Sequence, residues 1–334
     1  MIATTFKHLL DDLRGHAGFH WLRPGELCAV HLGPTSAAER VWWDVSTHGQ
    51  ECAPALALAR FVREYGEEWP WPNVALVAVI ADAQGLDELG YGFVGVDASR
   101  ACWPPLWHYH QDDGRYWTFV DNNSAWGNMA EPHLPEVHRL LRQHMAWWHP
   151  TFVYASHETV NNEWSRHPFW TGCGLMVIET YPIAEALWPQ LVGIPGPLED
   201  PLGFIAYLFG RWGWALLHIP RWRRCAKLLA KTPGYRIVSR IMERYTGPVM
   251  GVDWMRHIEA GGEISVGPGR FLHAPRMQRA DWLTLTDYAV RHFGAVGVTT
   301  ETFPPGELGV VGLDSRAEQT FLFARAVVEA LDGS

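Results

Sequence analysis

Residues 73–80 constrain the fold most. After Asn73 the chain runs Val-Ala-Leu-Val-Ala-Val-Ile without one polar side chain. A strand with one wet face alternates apolar and polar residues, and this one does not. Both of its faces must therefore be covered, which calls for a sheet interior with helices on each side. Shorter strand signals occur at 27–32, 40–45, 151–155 and 297–300. Helical patterns occupy 1–13, 52–65, 135–148, where Pro135-Glu136 opens the run, and 315–331. Strands interleaved with helices predict an α/β fold: a three-layer sandwich around a mixed, largely parallel central sheet. Residues 81–121, rich in Gly, Asp and Trp, read as irregular.

A chain of 334 residues is long enough for one large domain, and 1–334 is read as such. Hydrophobic residues make up 48% and charged residues 19%, so the chain carries enough apolar surface to fold. The net charge of -9 argues against a general nucleic-acid binder, which needs a basic face to displace phosphate counterions. The five cysteines include no C-x-x-C pair and fit reduced thiols in a cytoplasmic protein. No window holds about 18 uncharged apolar residues, so no membrane span is expected. The 19 tryptophans read mainly as core filling, with an aromatic substrate cleft as the sharper alternative.

Chemistry-bearing residues gather where strands end. His48-Gly49-Gln50-Glu51 is an H-x-x-E pair between a predicted strand and a predicted helix, the position at which open α/β sheets bind ligands. Imidazole nitrogen and carboxylate oxygen both suit zinc, and a catalytic zinc takes three protein ligands. The apolar run 152–155 breaks into Ser156-His157, which offers the third. Glu301 ends another short strand, placed to act as general base.

The order of these motifs resembles the zinc metallocarboxypeptidase family, including its succinylglutamate desuccinylase and aspartoacylase relatives. His48-Gly49-Gln50-Glu51 resembles the family's zinc motif. Residues 79–85 resemble its strand and N-P-D-G turn, and Asp121-Asn122-Asn123 its D-x-N-R segment. Ser156-His157-Glu158 resembles the third-ligand strand end, and Thr300-Glu301-Thr302 the catalytic glutamate segment. The resemblance implies zinc held by His48, Glu51 and His157, with Glu301 as base in the hydrolysis of an amide bond in a peptide or N-acyl amino acid. It implies Arg100 as the arginine that stabilises the oxyanion, with Arg115 as its rival, and Asn123 in substrate binding. Ser124 stands where the family has an arginine that grips a terminal carboxylate, which puts carboxypeptidase specificity in question.

Between His157 and Glu301, residues 183–260 read as a helical insertion, a possible lid over the site. Glu179, in Glu-Thr-Tyr-Pro, is the rival base. His108-x-His110 and the His16/His20 pair are set aside as metal sites, and the family's active-site tyrosine has only Tyr245 and Tyr288 as candidates. The readings left open are a peptidase, a zinc deacylase of N-acyl amino acids or small amides, and a non-catalytic metal-binding protein that keeps the fold.

Overall fold

A computed structural model describes residues 6–25, 27–45, 47, 51–81, 108–112, 116–120, 136–158, 174–194, 211–249, 263–273, 283–303 and 313–333. Eleven strands are present among them: β1 (Phe19–Arg23), β2 (Leu27–Leu32), β3 (Glu39–Val45), β4 (Val74–Ile80), β5 (His108–Asp112), β6 (Tyr116–Val120), β7 (Phe152–Glu158), β8 (Gly174–Thr180), β9 (Ile264–Gly267), β10 (Arg270–Leu272) and β11 (Val296–Phe303). The helices are α1 (Phe6–Arg14), α2 (Cys52–Tyr65), α3 (Glu136–Trp148), α4 (Trp188–Val192), α5 (Arg211–Leu229), α6 (Pro233–Arg244), α7 (Leu285–Phe293) and α8 (Leu313–Asp332).

Nine strands form one mixed sheet in the order β1-β2-β4-β3-β7-β11-β8-β10-β9. Its centre, β4-β3-β7-β11, is parallel throughout. Antiparallel pairings flank it at β2–β4 and at β11–β8. The apolar run behaves as its composition demands: every residue of β4 is buried. Val74, Leu76, Ala78 and Ile80 enter a core shared with α2 and α8. Ala75, Val77 and Val79 enter a second core under α3 and α7. The adjacent tryptophans of β3 divide in the same way, since successive strand residues face opposite sides. Trp43 stacks on Tyr154 and donates to Ser156 Oγ at 2.9 Å, while Trp42 lies on the α3 side.

The structure departs from the sequence reading in three places. The 81–121 stretch contains the β5–β6 hairpin and is not wholly irregular. The strands of residues 151–155 and 297–300 run further, to Glu158 and Phe303, because parallel pairing between them continues to Thr302↔Glu158. Strands β1, β8, β9 and β10 carry too little local pattern to stand out, being short or flanked by polar residues.

Within 183–260 the described residues are largely helical. Cys225, Leu229, Val238 and Ile241 from α5 and α6 join the core shared by α2 and α8. On this side, β8 and β10 are tied by a buried ion pair between Glu179 and Arg270, and Tyr181 donates its hydroxyl to Glu179 at 3.0 Å. Burial works against the Arg270 charge, but Glu179 more than offsets it and holds the guanidinium pKa above its usual value. Burial, and then the Glu179 charge, push the Tyr181 hydroxyl well above the ordinary tyrosine range. Glu179 is thereby committed to a structural cluster, which answers its candidacy as a catalytic base.

Two outcomes follow. Glu179→Ala leaves the Arg270 charge buried without its partner and should cost about 3–5 kcal/mol in denaturant unfolding. His218 on α5 is fully buried and its pKa is lowered from 6.5 to about 4, first by burial and then by Arg221. The unfolded chain therefore binds more protons below pH 6.5, and folding stability should fall as pH drops from about 6.5 towards 4. Urea midpoints across that range should decline less steeply in His218→Leu than in wild type.

Candidate active site

The parallel centre of the sheet brings three strand ends side by side. β3, β7 and β11 are consecutive neighbours, so their C-terminal ends finish at one edge of the sheet. Val45, the last residue of β3, pairs with Ser156, the residue before His157. On the other flank, Glu301 pairs with His157 itself. Partners in register lie about 4.8 Å apart with their side chains on the same sheet face.

Local bonds hold each donor in place. Thr47 donates to Asp44 Oδ2 at 2.7 Å, and both are buried, so the turn after β3 is pinned at its start. Glu51 occupies the N-cap position of α2 but makes no side-chain cap bond. Its carboxylate instead meets His157 Nδ1 at 2.9 Å, with Glu51 4% and His157 2% exposed. A capping side chain contributes about 1 kcal/mol to a helix, so the Glu51 carboxylate gives up a stabilising local role for a contact 106 residues away in sequence.

The segments around His157 and Glu301 share one design. Ser156 is buried on the α2 side, accepting from Trp43 and donating to the Asp44 carbonyl at 2.8 Å. Thr300 and Thr302 are likewise fully buried. Thr300 donates to the Tyr154 hydroxyl, and Thr302 to the His157 backbone carbonyl at 3.4 Å. Small hydroxyl residues thus anchor both strands, and alternation turns His157 and Glu301 to the opposite face, where Glu301 is half-buried.

The donor set fits a zinc ion. Imidazole nitrogen and carboxylate oxygen are both zinc ligands with bonds of about 2.0–2.2 Å, which set two ligand atoms about 3.3 Å apart at a tetrahedral angle. The Glu51–His157 contact is within half an ångström of that separation. His48, Arg100, Arg115 and Asn123 lie outside the described residues. The two tyrosine candidates have other work. Tyr245 is buried against Phe323 and donates to the Pro248 carbonyl at 3.2 Å, while Tyr288 lies under the Arg142 guanidinium and against His292.

His16 is also accounted for. Its Nε2 bonds the Gly66 carbonyl and its Nδ1 accepts from the Gly18 amide, so it has no nitrogen left to share with His20. Cys28, Cys52 and Cys225 are buried. Burial pushes the Cys28 thiol up to about 12, which leaves it inert. Among the described residues no helix is long and apolar enough to cross a membrane.

No protein-family model matches the chain, and no curated protein sequence matches it. Solved structures do. A Burkholderia mallei protein provisionally described as a carboxypeptidase is similar at TM-score 0.50 and 12% identity, over 98% of this chain and 67% of that one. A metallo-carboxypeptidase from Burkholderia cenocepacia aligns at TM-score 0.48 and 12% identity, over 97% of this chain and 68% of that one. The succinylglutamate desuccinylase from Chromobacterium violaceum aligns at 0.42 and 16% identity, over 98% and 75%. At such identities the likeness concerns the fold alone: a mixed sheet of nine strands with helices on both faces, the carboxypeptidase-like α/β fold.

Proposed function

We propose that the chain is a zinc-dependent hydrolase that cleaves an amide bond, of the metallocarboxypeptidase type. The observation that carries the reading is the buried 2.9 Å contact of Glu51, at the start of α2, with His157 of β7, with Glu301 in register with His157. His48, Glu51 and His157 are the ligand set. A zinc ion there would polarise a substrate carbonyl and lower the pKa of water towards about 7.

The protein's own groups divide the remaining work. The Glu301 carboxylate takes the proton of the attacking water and delivers it to the leaving nitrogen. Arg100 takes the role of stabilising the charge that builds on the carbonyl oxygen, with Arg115 as its rival for that role. Asn123 orients the substrate, and residues 183–260 form a helical insertion within the single catalytic domain.

A second reaction on the same residues, deacylation of an N-acyl amino acid or small amide, is favoured by one feature. Ser124 stands where a carboxypeptidase has the arginine that grips a terminal carboxylate. A hydroxyl cannot replace a guanidinium fork.

Glu301→Gln should retain the zinc content of the wild type and lose about 10²–10⁴-fold in turnover; unchanged turnover would remove Glu301 from the mechanism. His48→Ala and His157→Ala should each bind one zinc ion fewer per chain than wild type, read by elemental analysis. A panel of C-terminal peptides beside N-acyl amino acids separates peptidase from deacylase. Zinc bound at the Glu51–His157 pair with no amide hydrolysed would identify a non-catalytic binding protein.

A further inference from the structure

Three histidines converge on the face of the sheet covered by α3. His20 comes from β1, His31 from β2 and His144 from α3. One ligand nitrogen from each lies within 4.8 Å of the others. The ring centroids are 4.8 Å (His20–His31), 5.4 Å (His31–His144) and 5.6 Å (His20–His144) apart. This cluster belongs to the β1–β2 end of the sheet, with β4 and β3 between β2 and the β7 strand that carries His157.

The polar atoms of the cluster point to a ligand. Nε2 of His31 and Nε2 of His144 are both buried without a hydrogen-bond partner. The large majority of buried polar side-chain atoms find a partner, and leaving one unpaired is costly. Two such nitrogens in one cluster, each carrying a lone pair in the right tautomer, are what a cation would satisfy. His20 Nδ1 lies 3.3 Å from the Gly18 carbonyl. That contact favours the proton on Nδ1 and leaves Nε2 as the lone-pair atom, the arrangement by which a backbone carbonyl orients a metal-binding imidazole.

The surroundings agree. Trp42, Trp147 and Trp148 pack around His31 and His144. Burial, and then the neighbouring imidazoles, lower the pKa of both His31 and His144 to about 4, so both are neutral at pH 7, the form that binds metal. Trp147 is 62% exposed, which places the cluster near the surface. Aromatic packing alone would explain stacked imidazoles, but it supplies nothing for the two buried nitrogens.

We propose that His20, His31 and His144 form a second metal site, separate from the Glu51–His157 site, that takes a borderline divalent transition ion such as Zn2+ through three imidazole nitrogens. A donor set of imidazoles alone suits zinc, copper or nickel and not the oxygen-seeking magnesium and calcium. Zinc–nitrogen bonds of about 2.0–2.1 Å require the three nitrogens to close to about 3.3 Å. His20 sits on an edge strand, β1, whose pairing with β2 shifts register between Trp21 and Arg23. The bound ion ties this edge strand to α3.

The test compares Zn2+ stoichiometry of metal-stripped wild type with His20→Gln and His144→Gln, using a competing chromophoric chelator and thermal melts. Each variant should bind one ion fewer per chain than wild type and lose part of the Zn2+-induced rise in melting temperature. The difference is read against wild type, so it stands whether or not the Glu51–His157 site takes metal. Equal stoichiometry in wild type and both variants would overturn the proposal. Should a variant fail to fold, nitrogen NMR of histidine-labelled wild type gives the answer directly. Zn2+ should shift the ring nitrogens of His20, His31 and His144 together, and unchanged resonances would overturn the site.

Discussion

A buried carboxylate facing a buried imidazole is the contact around which the C-terminal edge of the sheet is organised. Polar groups this deep are costly to remove from water and persist only with partners. Glu51 gives up helix capping to reach His157, and the residues around both are fixed by small hydroxyl groups that bond backbone and neighbouring side chains. Such precision between a helix start and a strand is hard to attribute to stability, because an apolar pair of similar size would pack there at less cost. The arrangement supports the proposal that both groups present donor atoms to a cation.

The sheet makes that arrangement possible. Four parallel strands, each buried on both faces, hold their ends level, and the apolar side chains of β3, β4 and β7 divide between two cores. Because the register between β7 and β11 is fixed along its length, Glu301 and His157 are opposed as a consequence of burying Val153, Ala155 and Val298 further down. A slip of one residue would turn both polar side chains to the other face. The same logic separates Glu179 from the chemistry. It faces Arg270 of the neighbouring strand β10, on the far side of β8 from β11, where an ion pair and a tyrosine hydroxyl occupy its oxygens.

Much of the fold could be read locally. The unbroken apolar run of β4, the strand of residues 40–45 and the helices at 52–65 and 135–148 each announce themselves within about ten residues. The short strands β9 and β10 do not, since three or four residues carry no periodicity. The β5–β6 hairpin was hidden by its charged and aromatic composition. The three-histidine cluster gave no motif at all. Its members lie on an edge strand, an inner strand and a helix, and only pairing of His20 with Ala29 sets β1 and β2 in the register that brings them to one face.

The sequence by itself determined the α/β class, the doubly covered sheet, and the residue types at strand ends that suit a divalent ion and a base. Those follow from short-range periodicity and side-chain chemistry. The tertiary structure alone decided that Glu51 touches His157 across 106 residues, that Glu179 belongs to Arg270, and that three histidines come together. The reason is physical: strand order and register come from burying the whole sheet at once, and no local segment carries that information.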